Sequence, residues 1–147
     1  MTASVYRYKL RLVYNYKLKI MNQLKEFLME YCSIGTMERR FLNIIWDNEP
    51  VTSMDLVRLC SAQLNWHRST TYTTLRHLQE KGLVKNENTV VTTLYSKDEV
   101  QAMTSENIVS EAFSGSLPSF ITAFMSGKKI SQDEAEELKK LIDSYKE

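Results

Sequence analysis

Cysteine, proline, glycine and histidine are all scarce in this chain of 147 residues, and each scarcity removes a class of protein. Two cysteines, Cys32 and Cys60, with no CxxC or CxC spacing, make neither a disulfide scaffold nor a zinc site. His67 and His77 form no HxxxH or HExxH pair, and four glycines leave no loop that could cradle a phosphate. No run of about 18 apolar residues occurs, which excludes stable insertion in a membrane. Charges punctuate the basic N-terminus too often for the apolar core of a signal peptide, so a cytoplasmic protein is expected. The carboxylates of the C-terminal third lie on helix surfaces and do not converge on a nucleophile. No catalytic residue, cofactor or metal is therefore expected, and the chain does not read as an enzyme. Cys60 falls in an apolar register and reads as a reduced, buried thiol.

A strong net charge is also missing, at 19 basic against 18 acidic side chains, but the charges are unevenly placed. Residues 1–35 hold six basic and two acidic groups, residues 36–96 seven and six, and residues 97–147 six and ten. The front of the chain suits phosphates, and the acidic tail suits another protein.

What is present divides the chain into three. In the first segment, residues 1–33, apolar side chains occupy the even positions from Tyr6 to Ile20 while Arg7, Lys9, Arg11, Lys17 and Lys19 occupy odd ones. Period two predicts a strand or hairpin over 5–20, read as an edge strand, a disordered extension, residues upstream of a true start at Met21, or a basic arm that meets DNA phosphates or a membrane surface. Leu24, Phe27, Leu28 and Tyr31 then predict a short amphipathic helix over 22–31.

The second segment, 34–96, predicts three helices and a hairpin. The first helix carries Phe41, Leu42, Ile44, Ile45 and Trp46, and it stops before Pro50. The second opens on the Thr52/Asp55 cap signal, and Leu56, Val57, Leu59, Cys60 and Leu64 form its apolar side. The third runs from about Ser69 to Lys81 and ends at Gly82. Residues 83–96 read as two strands around an Asn86-Glu87-Asn88 turn. This order is that of a winged helix-turn-helix: mainly α with a small β-wing.

At about 100° per residue, Thr71, Leu75 and Leu78 line one side of the third helix. Ser69, Thr73, Arg76 and Glu80 then lie opposite, flanked by Tyr72 and His77. Short hydroxyls allow close approach to a groove floor, threonine methyls suit thymine, and arginine bonds guanine or phosphate. Arg68 at the helix start is a candidate phosphate contact. Lys85, Asn86 and Asn88 on the wing are candidates to follow the backbone or edge the minor groove.

The third segment, 97–147, predicts helices over about 97–112, 119–126 and 131–145, with Ser131 and Glu134 as a capping box for the last. Ile108, Leu117, Phe120, Ile121, Phe124 and the stripe Leu138, Leu141, Ile142, Tyr145 are the candidate homodimer interface.

The residues Asn43-Ile44-Ile45-Trp46-Asp47, Val51-Thr52 and Trp66-x-x-x-Thr70-x-x-Thr73-x-Leu75-x-x-Leu78-x-x-Lys81-Gly82-Leu83-Val84 resemble the penicillinase-repressor family of beta-lactamase, methicillin-resistance and copper-type repressors. The resemblance covers residues 34–147, with the specific motif confined to 43–84. It implies a winged-helix repressor that dimerises through its C-terminal helices on a palindromic operator with TACA/TGTA half-sites, controlling antibiotic-resistance or stress genes. The family's recognition contacts fall on Ser69, Thr70, Tyr72 and Thr73. A signalling protease cleaves the beta-lactam members at an Asn-Phe bond. The aligned bond here is Ala123-Phe124, without the asparagine. The copper branch's C-terminal cysteine cluster is missing, since no cysteine follows Cys60. Residues 1–33 lie outside the family pattern. Two other readings fit the same residues: a winged helix used for protein–protein interaction, with the acidic tail as its docking surface, and a repressor responsive to a small molecule held between dimer helices.

Overall fold

A computed structural model of the chain describes residues 2–146. It divides into two compact units, one ending at Thr104 and the other beginning at Ser105.

The first unit opens with a helix where alternation had predicted a strand. Helix α1 spans Ala3–Ser33, 31 residues, and absorbs both the expected strand over 5–20 and the expected short helix over 22–31. Two physical reasons account for the difference. The odd positions are filled mainly by Lys and Arg and the even ones include three leucines, all strong helix formers, and neither Gly nor Pro interrupts residues 2–34. The same residues also satisfy a second period. Tyr6, Leu10, Val13, Lys17, Ile20, Leu24, Phe27 and Tyr31 recur at alternating steps of four and three, which is one seam of a helix. The seam's C-terminal end finds a partner: Phe27 is buried with its ring edge-on to Tyr95 at 4.8 Å, and Tyr31 stacks at a tilt on Trp46 at 5.9 Å.

Helix α2 (Thr36–Asn48) begins where the Gly35 N–H donates to the Glu38 carboxylate at 2.9 Å. It buries Phe41, Leu42, Ile44 and Ile45 along one side. Strand β1 (Val51–Thr52) leads into α3 (Ser53–Leu64), whose first turn is capped by the Thr52 hydroxyl accepting from the Asp55 N–H at 3.0 Å. Asn65, in the left-handed conformation, ends α3 and turns the chain toward α4 (Arg68–Glu80). Gly82, at φ +73°, reverses the chain after α4 into the hairpin of β2 (Val84–Glu87) and β3 (Val90–Thr93). The sheet is antiparallel in the order β1-β3-β2, with Val51 opposite Val91 and Val84 opposite Thr93.

The wing turn lies later than the sequence predicts. Asn86 and Glu87 are paired in β2, opposite Val91 and Val90, and the two turn residues are Asn88 (φ 52°) and Thr89 (φ 68°). Two consecutive positive φ angles give the right twist to a tight hairpin, and asparagine tolerates that region. Threonine does not readily adopt it, and the Thr89 carbonyl is held there by the Ser53 N–H at 2.8 Å. At the other end of the wing, the Glu49 carboxylate accepts from the Thr93 N–H at 2.6 Å and from its hydroxyl at 2.8 Å. The Trp46 indole donates to the Tyr95 carbonyl at 2.9 Å.

The core of this unit joins Phe41, Leu42 and Ile45 of α2 to Leu56 and Cys60 of α3, Leu75 and Leu78 of α4, and Leu83, Val84 and Val91 around the wing. Val100, in the first turn of helix α5 (Lys97–Phe113), closes it.

The second unit holds the rest of α5, then α6 (Leu117–Met125) and α7 (Gln132–Ser144). Ser116 caps α6 by accepting from the Ser119 N–H, and Ser131 caps α7 by accepting from the Glu134 N–H, both at 3.2 Å. Phe120 packs edge-on to Phe113 at 5.4 Å and at a tilt to Phe124 at 6.1 Å.

Candidate nucleic-acid interface

Helix α4 is anchored along one side and open along the other. Thr71, Leu75 and Leu78 are buried, as the 3.6-residue period requires. Thr71 is polar inside an apolar core, and its hydroxyl is satisfied by the His67 carbonyl at 3.4 Å. It also hydrogen-bonds the Cys60 thiol, a weaker influence than burial, which pushes that thiol up to about 11. The buried thiol is thus fixed in its neutral form at physiological pH, in keeping with a packing role.

On the other side Ser69, Thr70, Thr73, Arg76 and His77 are exposed, and Tyr72 is half-buried. Ser69, Thr70 and Thr73 are short, and the longer Arg76 follows about two turns in. Arg76 lies 3.9 Å from Glu80, a loose pair with both side chains about two-thirds exposed, so the guanidinium can exchange its partner at little cost. Arg68 lies over the Tyr72 ring at 5.4 Å, which fixes the direction of a flexible cation beside the helix start. With His67 and Ser69 they line a shallow depression there. The first amides of a helix have no intrahelical acceptors, and this end of α4 carries no side-chain cap, so donors and cation face the same solvent.

The wing residues separate. Lys85 is exposed on β2 and Asn88 is exposed at the turn, whereas Asn86 is half-buried opposite Val91. Lys85 also borders an open groove between α1 and the base of the wing, together with Lys81, Glu26, Glu30, Phe27 and Tyr95. Sequence reasoning missed this groove because it depends on α1 being one long helix. Among the described residues no group of His, Cys, Asp or Glu is placed to hold a metal.

In the second unit the expected interface residues lie on the surface. Ile108, Leu117, Ile121, Phe124, Leu138, Leu141 and Ile142 are exposed, Tyr145 is 81% exposed, and Phe120 is half-buried. Ala123 and Phe124 sit in the last turn of α6, where the Ser126 N–H bonds the Ala123 carbonyl at 3.3 Å. The Lys128 ammonium lies 4.7 Å from the Phe124 ring. No described helix is long and apolar enough to cross a membrane.

Residues 34–144 match the family model described as penicillinase repressor. The methicillin resistance regulatory protein MecI of Staphylococcus aureus strain Mu50 is 26% identical over 114 residues, covering 75% of this chain and 93% of that one. MecI of Mammaliicoccus sciuri is 25% identical over the same shares. Among solved structures, MarR of Staphylococcus aureus, in complex with salicylate and kanamycin, overlays with a TM-score of 0.44 at 18% identity, covering 98% of this chain and 94% of that one. MepR, a transcription regulator of the Staphylococcus aureus multidrug efflux pump MepA, overlays at 0.42 and 18%, covering 90% and 99%.

Proposed function

Because the chain belongs to the penicillinase repressor family, we propose that it represses transcription as a homodimer, with one α4 helix per subunit entering the major groove of a palindromic operator. Members of that family are winged-helix transcriptional repressors that bind operator DNA, and they are not enzymes. Residues 34–96 serve as the DNA reader and residues 97–147 as the dimerisation segment, so the protein works in the cytoplasm, where the operator is.

One observation supports this reading above the others: the exposed side of α4 offers Ser69, Thr70, Thr73 and Arg76 together, while its opposite side is locked in the core. A solvent-facing helix held for stability alone ordinarily carries more Lys and Glu; this side suits close contact with base edges. Arg76 reads guanine or a phosphate, the threonine methyls suit thymine, and Arg68 with the α4 amides takes a phosphate at the helix start. Tyr72 and His77 flank the contact, and Lys85, Asn86 and Asn88 of the wing follow the neighbouring backbone. Half-sites of the TACA/TGTA kind, about 34–36 Å or a multiple apart, engage both subunits at once. Pairing through α5, α6 and α7 makes the second contact intramolecular, so affinity depends on the dimer.

Derepression by a signalling protease requires a scissile bond in the dimerisation segment. The Ala123-Phe124 bond lies in a helical turn, so cleavage there must follow fraying of that turn.

Selection of bound duplexes from a random pool tests the whole reading. The expected product is an inverted repeat whose affinity falls steeply as salt rises. A pool without enrichment, or binding indifferent to salt, overturns it in favour of a protein-docking module.

A further inference from the structure

The first two-thirds of α1 carries an apolar face that the core of its own unit does not use. Every residue from Thr2 to Gln23 is exposed. The seam of fours and threes is covered only at its C-terminal end, where Phe27 is buried and Leu24 and Tyr31 are half-buried. Upstream it stays open through Ile20, Lys17, Val13, Leu10 and Tyr6. A helix this exposed is marginal on its own in water, and an open stripe of leucine, valine, isoleucine and tyrosine marks an interaction surface. Lys17 lies in the seam, and Arg7 and Lys9 lie on its two flanks, whereas Arg11 and Lys19 point away from it. Among the described residues none of Arg7, Lys9 and Lys17 has an ion-pair or ring partner within the chain.

The covered end dictates the shape of what can lie on the open one. From Leu24 onward the unit's own core occupies the face that the seam continues, so a flat lipid surface laid along the seam meets that core first. A rod of limited length fits instead, and a second α1 running the opposite way is such a rod. The open stretch from Ala3 to Ile20 is 18 residues, about 27 Å. Antiparallel overlap of two such stretches sets Tyr6 against the partner's Lys17, Leu10 against the partner's Val13 and Ala3 against the partner's Ile20. The flanks of antiparallel helices meet like with like, so Arg7 faces the partner's Tyr14 and Lys9 the partner's Tyr16. Each cation at the contact thus meets a tyrosine ring, and each pair occurs twice about the two-fold axis. Sliding by one heptad breaks this match. One way opposes Ala3 to buried Phe27, and the other leaves Lys17 and Ile20 uncovered. A parallel pair sets Lys17 against Lys17 and carries the register on into Phe27, which the core has already taken.

We propose that α1 pairs antiparallel with α1 of a second copy across the Ala3–Ile20 stretch, each helix setting its tyrosine rings against the cations of the other. The contact lies wholly within the first unit and does not rest on the C-terminal dimer proposed above. It gives the chain a self-complementary surface of its own, the element needed to link one dimer to another. No carboxylate occurs before Glu26, so apolar contact and rings hold the pair against net repulsion. Such a pair tightens as salt rises, whereas contact with DNA or an anionic lipid weakens.

An overlap this short pairs weakly, so the test traps it covalently in the full chain at about 100 µM, with exposed Cys32 replaced by serine and buried Cys60 left in place. Tyr6→Cys and Lys17→Cys chains are oxidised separately and as a mixture. In the proposed register positions 6 and 17 face each other, while like positions lie about 16 Å apart along the pair, beyond disulfide reach. The mixed disulfide is therefore expected to form about tenfold faster than either self-disulfide, and faster at about 0.5 M salt than at about 0.05 M. Far-UV circular dichroism checks that these changes leave the helices formed. Equal rates, self-disulfides ahead of the mixed one, or a preference that fades with salt each overturn the pairing. Leu141→Asp in both chains is expected to leave the preference intact, which separates this contact from the C-terminal dimer, and a preference abolished by that change overturns it. Binding of the chain to phosphatidylglycerol vesicles in place of any trapped pair also overturns the pairing, and makes α1 a lipid-surface helix.

Discussion

The two units of the chain bury their apolar residues to very different degrees. Among the described residues every buried side chain lies between Phe27 and Val100, and residues 105–146 contain none. Yet α6 is as apolar in composition as the core helices and α7 carries an apolar stripe: Leu117, Ile121, Phe124, Leu138, Leu141 and Ile142 are exposed, whereas Phe41, Leu42, Ile45 and Leu75 are not. The first unit completes its core within one chain. The second carries regular, capped helices whose stripes have no covering layer inside that unit. Helix formation and core formation are thus separable here, and on the proposed dimer reading the open stripes are where a second copy supplies what the first lacks.

Substitutions sharpen this contrast, and the largest effect belongs to the core. Phe41→Ala is expected to cost about 3–5 kcal/mol of folding stability, because Phe41 is 0% exposed and leaves a cavity. Leu141→Ala, at an exposed site, is expected to leave a dilute chain's stability within about 0.5 kcal/mol. Chemical denaturation at low concentration measures both, and equal losses would erase the distinction between the units. The complementary change is Leu141→Asp, which is expected to yield monomers in sedimentation and a weaker hold on the operator. Unchanged sedimentation would remove α7 from the interface.

Next in size is the reader itself. Arg76→Ala is expected to weaken operator binding by about 1–3 kcal/mol with no loss of melting temperature, since its loose pair with Glu80 is exposed. An identical DNA titration would move the groove contact elsewhere. Smaller again, Thr89→Gly is expected to raise stability by about 1 kcal/mol, since a β-branched residue at φ 68° becomes one that adopts that region freely. Denaturation midpoints decide this.

The smallest effect is invisible at neutral pH. Burial raises the Cys60 thiol to about 11 in the folded chain, so the neutral form is favoured on folding. That contribution is complete below the ordinary thiol value of 9.0 and is lost as pH climbs from there through about 11. Exposed Cys32 is expected to react with a disulfide reagent in the native protein, and Cys60 only after denaturation. Two equally fast thiols would show that the second helix of the reader opens readily.

Much of the reader was legible in the sequence because its signals agree at every level. The Thr52 cap, the Gly82 stop and the Thr71/Leu75/Leu78 stripe each point to the same three helices and hairpin, and the structure places them so. The N-terminal segment was misread because its apolar residues satisfy both a period of two and the four-and-three spacing of a helix seam. Propensity decided between them: Leu, Lys and Arg without Gly or Pro favour the helix, and an isolated strand would have had no ladder to join. The wing turn slipped because Asn86 and Asn88 are equally good turn residues, and only pairing with Val91 and Val90 places the reversal at Asn88-Thr89. Contacts between distant residues, such as the hold of Glu49 on Thr93, leave no local trace in a sequence.

That hold, with the Ser53–Thr89 bond at the far end of the same hairpin, means the wing cannot hinge independently of the helices beneath it. A hairpin tied at root and tip travels with its scaffold as a single lever. For the proposed repressor, release from DNA therefore has little to gain from reshaping one reader. On the proposed dimer reading, an inducing signal acts more effectively on the spacing and angle between two such readers, so sensitivity to induction is expected to concentrate in the segment that joins them.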